Sequence, residues 1–245
     1  MSATLINVAL DLETLGTSEN AAIVQIAFCV PEFDRKFLPE NVDHEVEVSI
    51  SYDACMAAVQ ECIFSQDDAT MEWWEKQPTR TSVFSGQDTY SDALDKIEAW
   101  IFAVTSKGAK LAVWGNGSDF DNRLLAYTFS AFGYKPQWEF RNNRDLRTLK
   151  ALFPITMNDA DMNAGEIKHT AIGDARFEAR LMHETWNNYT QLERVFSAHP
   201  VRPMSDADIV WIYEEVSHQV LRPQDKRIVF GVARAIEAHI KGATE

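Results

Sequence analysis

The chain predicts an α/β fold with a mixed sheet. Three observations lead there. Apolar, strand-like runs follow one another near the start, amphipathic segments of helical period come after them, and a further apolar run at residues 110–114 is set among those segments. Strands in direct succession suggest an antiparallel meander, and helix-linked strands are the pattern of parallel pairs.

The elements follow in order. Residues 5–10 read as a buried strand whose end carries Asp11-Leu12-Glu13. Residues 16–20 are a turn. Residues 22–30 form a second buried strand, ended by Pro31. Residues 45–50 alternate acidic and apolar side chains, as a half-exposed third strand does. From 53 to 77 the pattern turns helical and acidic. Ser91 is the expected cap of a helix running to about Thr105, with Leu94, Ile97, Trp100 and Ile101 on one face. After the strand at 110–114, Asp119 or a neighbour begins a helix that ends near Gly133, a natural residue just past a helix end. Residues 144–153 are helical up to Pro154, 155–168 form an exposed polar loop, and 171–186 are helical again. A linker at 199–204 leads to two amphipathic helices, 206–220 and 224–240, parted by Arg222-Pro223.

Composition narrows the class. A chain of 245 residues can bury a sizeable core in one large or two small domains. No stretch is long and apolar enough to span a membrane, and no basic segment precedes the first apolar run, so neither a membrane nor a secretory signal is expected. Cys29, Cys55 and Cys62 are odd in number and lack metal-type spacing, which fits reduced thiols in the cytoplasm. The net charge of −14 is unevenly placed: residues 1–100 hold 19 acidic and 5 basic side chains, residues 101–185 hold 10 and 11. A phosphate-binding surface should therefore draw on the middle segment, where Arg141, Arg144, Arg147, Lys150, Lys168, Arg176 and Arg180 lie.

Three segments carry candidate chemistry. Asp11 and Glu13 share one face of a strand, about 7 Å apart. Two such acids repel each other and resist burial, so hard divalent cations are their natural partners. The plainer alternative is a strand end open to solvent. In the second segment, Gly115-Asn116-Gly117-Ser118-Asp119-Phe120-Asp121, a buried strand passes through a Gly-rich turn into a helix. Asp121, or its rival Asp119, projects from that helix start toward the strand ends, and the glycines leave room for close approach of a substrate. The third segment sets His169 just before a helix and Asp174 within it.

In this order and context, Asp-x-Glu, Phe-Asp and His-x4-Asp resemble the DEDDh 3'-5' exonucleases, the superfamily of proofreading exonucleases. Met71-Glu72-Trp73-Trp74, Trp114-Gly115-Asn116-Gly117 and Asp145-Leu146-Arg147-Thr148 are similar to a phage and bacterial branch with exonuclease A-type and exoribonuclease-like members. The resemblance covers about residues 1–185. Two positions depart from the pattern. Asn116 stands five residues before Asp121 where four is usual, which keeps Asp119 in contention. Ile172-Gly173 stands where a leucine and a polar residue are more usual.

The resemblance implies an RNase H-like mixed five-stranded sheet, three antiparallel strands then parallel ones, flanked by helices. Residues 1–185 would be the exonuclease domain and 186–245 a helical C-terminal extension. Asp11, Glu13, Asp121 and Asp174 would hold two divalent cations, Mg²⁺ or Mn²⁺, with Asp11 bridging both and Glu13 orienting the attacking water. His169 would be the general base, and nucleoside 5'-monophosphates would leave from a 3' end. The acidity favours single-stranded or short 3'-ended DNA or RNA held by stacking. Trp73 and Trp74 would supply a platform, with at least one of them also in the core. Leu15 would wedge against the terminal base, and Asn116 and Arg147 are further substrate contacts. Homodimerisation is compatible with the family. The rival readings are a non-catalytic nucleic-acid or protein-binding module on this fold, and a metal-free carboxylate hydrolase using Asp11 and Glu13.

Overall fold

The computed structural model describes residues 3–153, 157, 161–198, 205–217, 230 and 233–234. Five strands form one sheet: β1 (Leu5–Thr14), β2 (Ile23–Cys29), β3 (Glu45–Ser49), β4 (Lys110–Gly115) and β5 (Asn143–Asp145). Their spatial order is β3-β2-β1-β4-β5. β1 and β2 pair antiparallel, as do β2 and β3, while β4 lies parallel to β1 and β5 parallel to β4. This is the expected RNase H-like sheet. Every residue of β2 is buried, as its unbroken apolar run requires for a strand covered on both faces.

The helices are α1 (Glu32–Arg35), α2 (Tyr52–Gln60), α3 (Asp68–Trp74), α4 (Arg80–Val83), α5 (Tyr90–Thr105), α6 (Asp121–Ala131), α7 (Leu146–Leu152), α8 (Ala171–Ala198) and α9 (Asp206–Ser217). α5 buries Leu94, Ile97, Trp100 and Ile101, the face read from its period. Aromatic rings anchor this side of the core. Phe28 stacks on Trp100 with centroids 5.6 Å apart and meets Trp138 edge-on at 6.1 Å. Each indole N–H finds an acceptor, Trp100 on the Asp43 carbonyl at 2.9 Å and Trp138 on Asn143 Oδ1 at 2.8 Å.

Four expectations are corrected. The segment 53–77 is not one helix: α2 ends before Cys62, which takes φ +60°, and Asp67 then caps α3 by accepting the Thr70 N–H at 2.7 Å. The cap of α5 is Thr89 rather than Ser91, in a reciprocal box with Asp92. The segment 144–153 opens with the short strand β5 before α7, and three residues are too few to show a period. Finally, α8 runs twelve residues past Trp186, to Ala198.

Two compact units divide the chain. The first, residues 1–146 and 157–180, contains the sheet. The second comprises residues 147–156 and 181–245. Within the second, Phe153 meets Tyr189 edge-on, Ser205 and Asp208 cap α9 reciprocally, and Arg234 pairs with Asp206 at 3.0 Å. The expected linker at 199–204 and most of the helix at 224–240 lie outside the described residues. Among the described residues, no helix is long and apolar enough to cross a membrane.

Candidate active site

β1 carries Asp11 and Glu13 on one side, opposite Ala27 and Gln25 of β2. Directly after Glu13 the register slips, which ends regular pairing at the strand mouth. On the other flank of β1, Gly115 closes β4 beside Leu10. A Cβ at Gly115 would stand 2.9 Å from the Asp121 Cβ and 2.6 Å from Asn122 Oδ1. The space expected for a substrate there is filled by the start of α6. Gly117 follows with φ +130°, a conformation L side chains rarely adopt.

Two hydrogen bonds hold this turn. Ser118 donates its N–H to Asp145 Oδ2 at 2.9 Å, and Asn122 donates from Nδ2 to the Val113 carbonyl at 3.1 Å. The two rival aspartates on this turn end in different surroundings. Asp121 opens α6 and is 5% exposed, and its charge is felt by both Asp11 and Glu13. Asp119 is exposed, and α6 receives no side-chain cap from it.

The third part is assembled differently. His169 takes φ +59° and donates its backbone N–H to Asp174 Oδ2 at 2.8 Å. A Cβ at Gly173 would lie 2.1 Å from the Ile167 carbonyl oxygen, so only glycine lets the 167–170 loop fold onto the first turn of α8. That contact accounts for Gly173 where a polar residue is more usual. The helix start is tied to the sheet by Gln25, whose Oε1 accepts the Ala171 N–H at 3.2 Å while its Nε2 donates to Ser49 Oγ at 3.0 Å. Thus the residue facing Glu13 across the sheet also sets the height of His169 and Asp174.

These parts converge. Ligand atoms of Glu13, His169 and Asp174 all lie within 4.8 Å of one another. Asp11 is held well above the usual carboxylate range, first by burial and then by the charges of Glu178, Glu13, Asp121 and Asp174. Glu13 is pushed up to about 8 by burial, Asp174 and Asp121. Burial also raises Asp174, opposed by the His169 N–H, and lowers His169, opposed by Asp174. Acids that raise one another in this way are what a divalent cation relieves, and a set dominated by carboxylate oxygens suits Mg²⁺ or Mn²⁺. Glu178 was missed in the sequence. Its signal was the four-residue spacing from Asp174, which puts both on one helix face.

A cavity of about 380 Å³ opens beside Glu13, walled by Thr14, Thr17, Asp67, Thr70, Trp73 and Trp74. The two tryptophans differ. Trp74 is 1% exposed and donates from Nε1 to the Thr14 carbonyl at 2.9 Å. Trp73 is 38% exposed and meets the His169 ring edge-on at 4.8 Å. Leu15, the expected wedge, is fully buried in the core and offers no surface to a terminal base. Its backbone instead bonds Ala22 and Asp67. Asn116 is half-buried on the turn, and Arg147 is exposed on α7, in the second unit. Of the expected phosphate-binding cations, Arg176 is paired with Glu45 and Arg180 with Glu166.

The domain family described as 3'-5' exoribonuclease Rv2179c-like matches residues 6–186. No curated protein sequence matches the chain. Three solved structures are similar. The nuclease domain of 3'hExo, a DEDDh family member bound to rAMP, gives a TM-score of 0.47 at 14% identity, over 74% of this chain and 90% of that one. Cell-death related nuclease 4 (CRN-4) gives 0.45 at 11%, over 76% and 66%. An Exonuclease I from Methylocaldum szegediense gives 0.46 at 15%, over 78% and 41%.

Proposed function

This chain belongs to the Rv2179c-like 3'-5' exoribonuclease domain family, and on that premise we propose a two-cation hydrolysis, in the manner of the DEDDh exonucleases, of single-stranded or short 3' ends that releases nucleoside 5'-monophosphates. The observation that carries the reading is the convergence of Asp11, Glu13, Asp121 and Asp174 with His169.

The four carboxylates would hold two divalent cations, which when bound lower the pKa of water and stabilise charge on the scissile phosphate and the departing 3'-oxygen. Asp11, at the centre of the acidic group, would hold the cations together with Glu13, Asp121 and Asp174, and Glu13 would also orient the attacking water. His169 takes the proton from that water. Its lowered pKa supports the part, since the imidazole is then neutral and able to accept at neutral pH. The Asp174 carboxylate, bonded to the His169 backbone, keeps base and cation ligand in fixed relation.

The cavity beside Glu13 has the size and lining for the terminal nucleotide, with exposed Trp73 as the stacking wall. Asn116 and Arg147 are retained as further substrate contacts. RNA is the substrate class the family description favours, with DNA oligomers as the comparison. Cytoplasmic residence belongs to the same reading: Cys29, Cys55 and Cys62 are free thiols, a state a reducing compartment maintains. So do the division into a catalytic domain at 1–185 and a helical extension at 186–245, and a homodimer, which light scattering on the full chain would detect.

The test is a panel of 5'-labelled single- and double-stranded RNA and DNA oligomers with Mg²⁺, Mn²⁺ or EDTA. Stepwise shortening from the 3' end, with mononucleotide release that EDTA abolishes, is the expected result. Release of product in EDTA would sink the two-cation mechanism.

A further inference from the structure

His169 is fixed at its backbone, where its N–H reaches Asp174 Oδ2 at 2.8 Å, but among the described residues its ring makes no hydrogen bond. A general base must hold one ring nitrogen toward the water it deprotonates. A hydrogen bond to the other nitrogen is the usual way to set that angle. Here the ring leans on an aromatic neighbour instead. The Trp73 indole meets it with centroids 4.8 Å apart and planes 87° apart. Such an edge-to-face pair is favoured by the charge distribution of the rings and limits how the imidazole can turn.

Trp73 is well placed to act as an anchor, because α3 is tied to the chain just after Glu13. Trp74 packs edge-on against Trp73 at 4.8 Å and donates from Nε1 to the Thr14 carbonyl at 2.9 Å. Asp67, the cap of α3, donates its N–H to the Leu15 carbonyl at 3.0 Å and accepts the Thr17 N–H on Oδ2 at 2.9 Å. The strand that carries Glu13 and the loop that carries His169 thus meet through one short helix.

We propose that Trp73 is a positioning residue for the general base: its indole sets the angle of the His169 ring and links that ring to the end of β1. The inference rests on the reading of His169 as the base. Trp73 also lines the cavity beside Glu13, and the two duties leave different marks. Stacking on a terminal base governs binding. The angle of the imidazole governs the rate of bond breaking once substrate is bound.

The experiment is single-turnover cleavage of a 5'-labelled RNA oligomer by a saturating excess of the full chain with Mn²⁺. Wild type is compared with Trp73→Leu, Trp73→Phe, His169→Ala, and Trp73→Leu combined with His169→Ala. Trp73→Leu should lower the saturated rate at least about tenfold, short of the roughly hundredfold loss that a full ångström of misplacement brings. Trp73→Phe, which returns a ring, should regain most of that loss. On the His169→Ala background, Trp73→Leu should cost less than about twofold more, since no base is left to misplace. A saturated rate within about twofold of wild type, with binding alone weakened, makes Trp73 a stacking wall only and overturns the proposal. An undiminished loss on the His169→Ala background overturns it too, and leaves the reading of the base standing. His169→Ala at the wild-type rate would overturn that reading and the proposal with it. Should Trp73→Leu fail to fold, nuclear magnetic resonance of the wild type decides. An Overhauser contact between the Trp73 indole and the His169 ring, assigned with His169→Ala, supports the proposal, and its absence overturns it.

Discussion

The acids on β1 and those around α8 reach the same point by opposite means. Asp11 and Glu13 owe their common face to strand alternation alone, on the end of β1 that stays paired with β2 after β4 has stopped beside Leu10. His169 and Asp174 owe theirs to a left-handed residue, a glycine that meets backbone at 2.1 Å, and a glutamine from another strand. One side is rigid by its local geometry, the other by tethers. Damage to β1 should therefore remove cation ligands outright. Damage near α8 should first disturb the placement of the base.

The largest effect tests the rigid side. Asp11→Asn should reduce metal-dependent nucleotide release on the order of a thousandfold, the scale of losing a central electrostatic group, with secondary structure unchanged by circular dichroism. An active variant would remove Asp11 from the cation-binding role. On the tethered side, Gly173→Ala must push the 167–170 loop off the helix. Turnover should drop on the order of a hundredfold, through a base displaced by an ångström or so. If calorimetry found Mn²⁺ affinity lost in equal measure, His169 would belong with the ligands rather than act as the base.

Gln25→Leu is a gentler cut of the same tether. It removes the acceptor for the Ala171 N–H and should lower stability by about 1–3 kcal/mol, together with a loss of turnover. Thermal melts alongside kinetics would sharpen the comparison: a stability loss with full activity would mean the helix start holds its position without Gln25.

The electrostatic strain predicts a pH dependence without added metal. Folding raises Asp11, Glu13 and Asp174, so the folded chain binds protons that the unfolded chain has already released. For Glu13 the stabilising contribution is complete below its ordinary value of 4.5 and is lost as pH climbs toward about 8. Melting temperatures in EDTA should fall from about pH 5 to about pH 9, and Mn²⁺ should flatten that slope. A melting temperature that rises over the range would contradict the crowding of acids. The smallest effect is expected from Asp119→Ala: the side chain is exposed, so activity should stay within about twofold of wild type.

Much of the fold was legible because periodicity is local. β1 to β4 and the buried face of α5 follow from apolar runs and helical spacing. What escaped detection was short or interrupted. β5 has three residues, yet its end residue Asp145 holds the turn that aims Asp121. The segment 53–77 kept a helical composition across a break where the chain instead runs beside the connection between β1 and β2, forming an isolated bridge from Ser65 to Ala21. Two neighbouring tryptophans with equal claims in the sequence parted into one core residue and one surface wall.

The sequence by itself determined the chemistry on offer: Asp-x-Glu at a strand end, Phe-Asp after a glycine turn, and His-x4-Asp at a helix start, because side-chain type and short spacing are properties of the chain alone. Only the tertiary structure decided how each of these residues is placed and buried. It buried Asp121, left Asp119 exposed, and withdrew Leu15 into the core. Those outcomes depend on burial and on contacts more than a hundred residues apart, such as Ala171 on Gln25. Burial and long-range charge are set when the elements pack, and no local pattern in the chain encodes them.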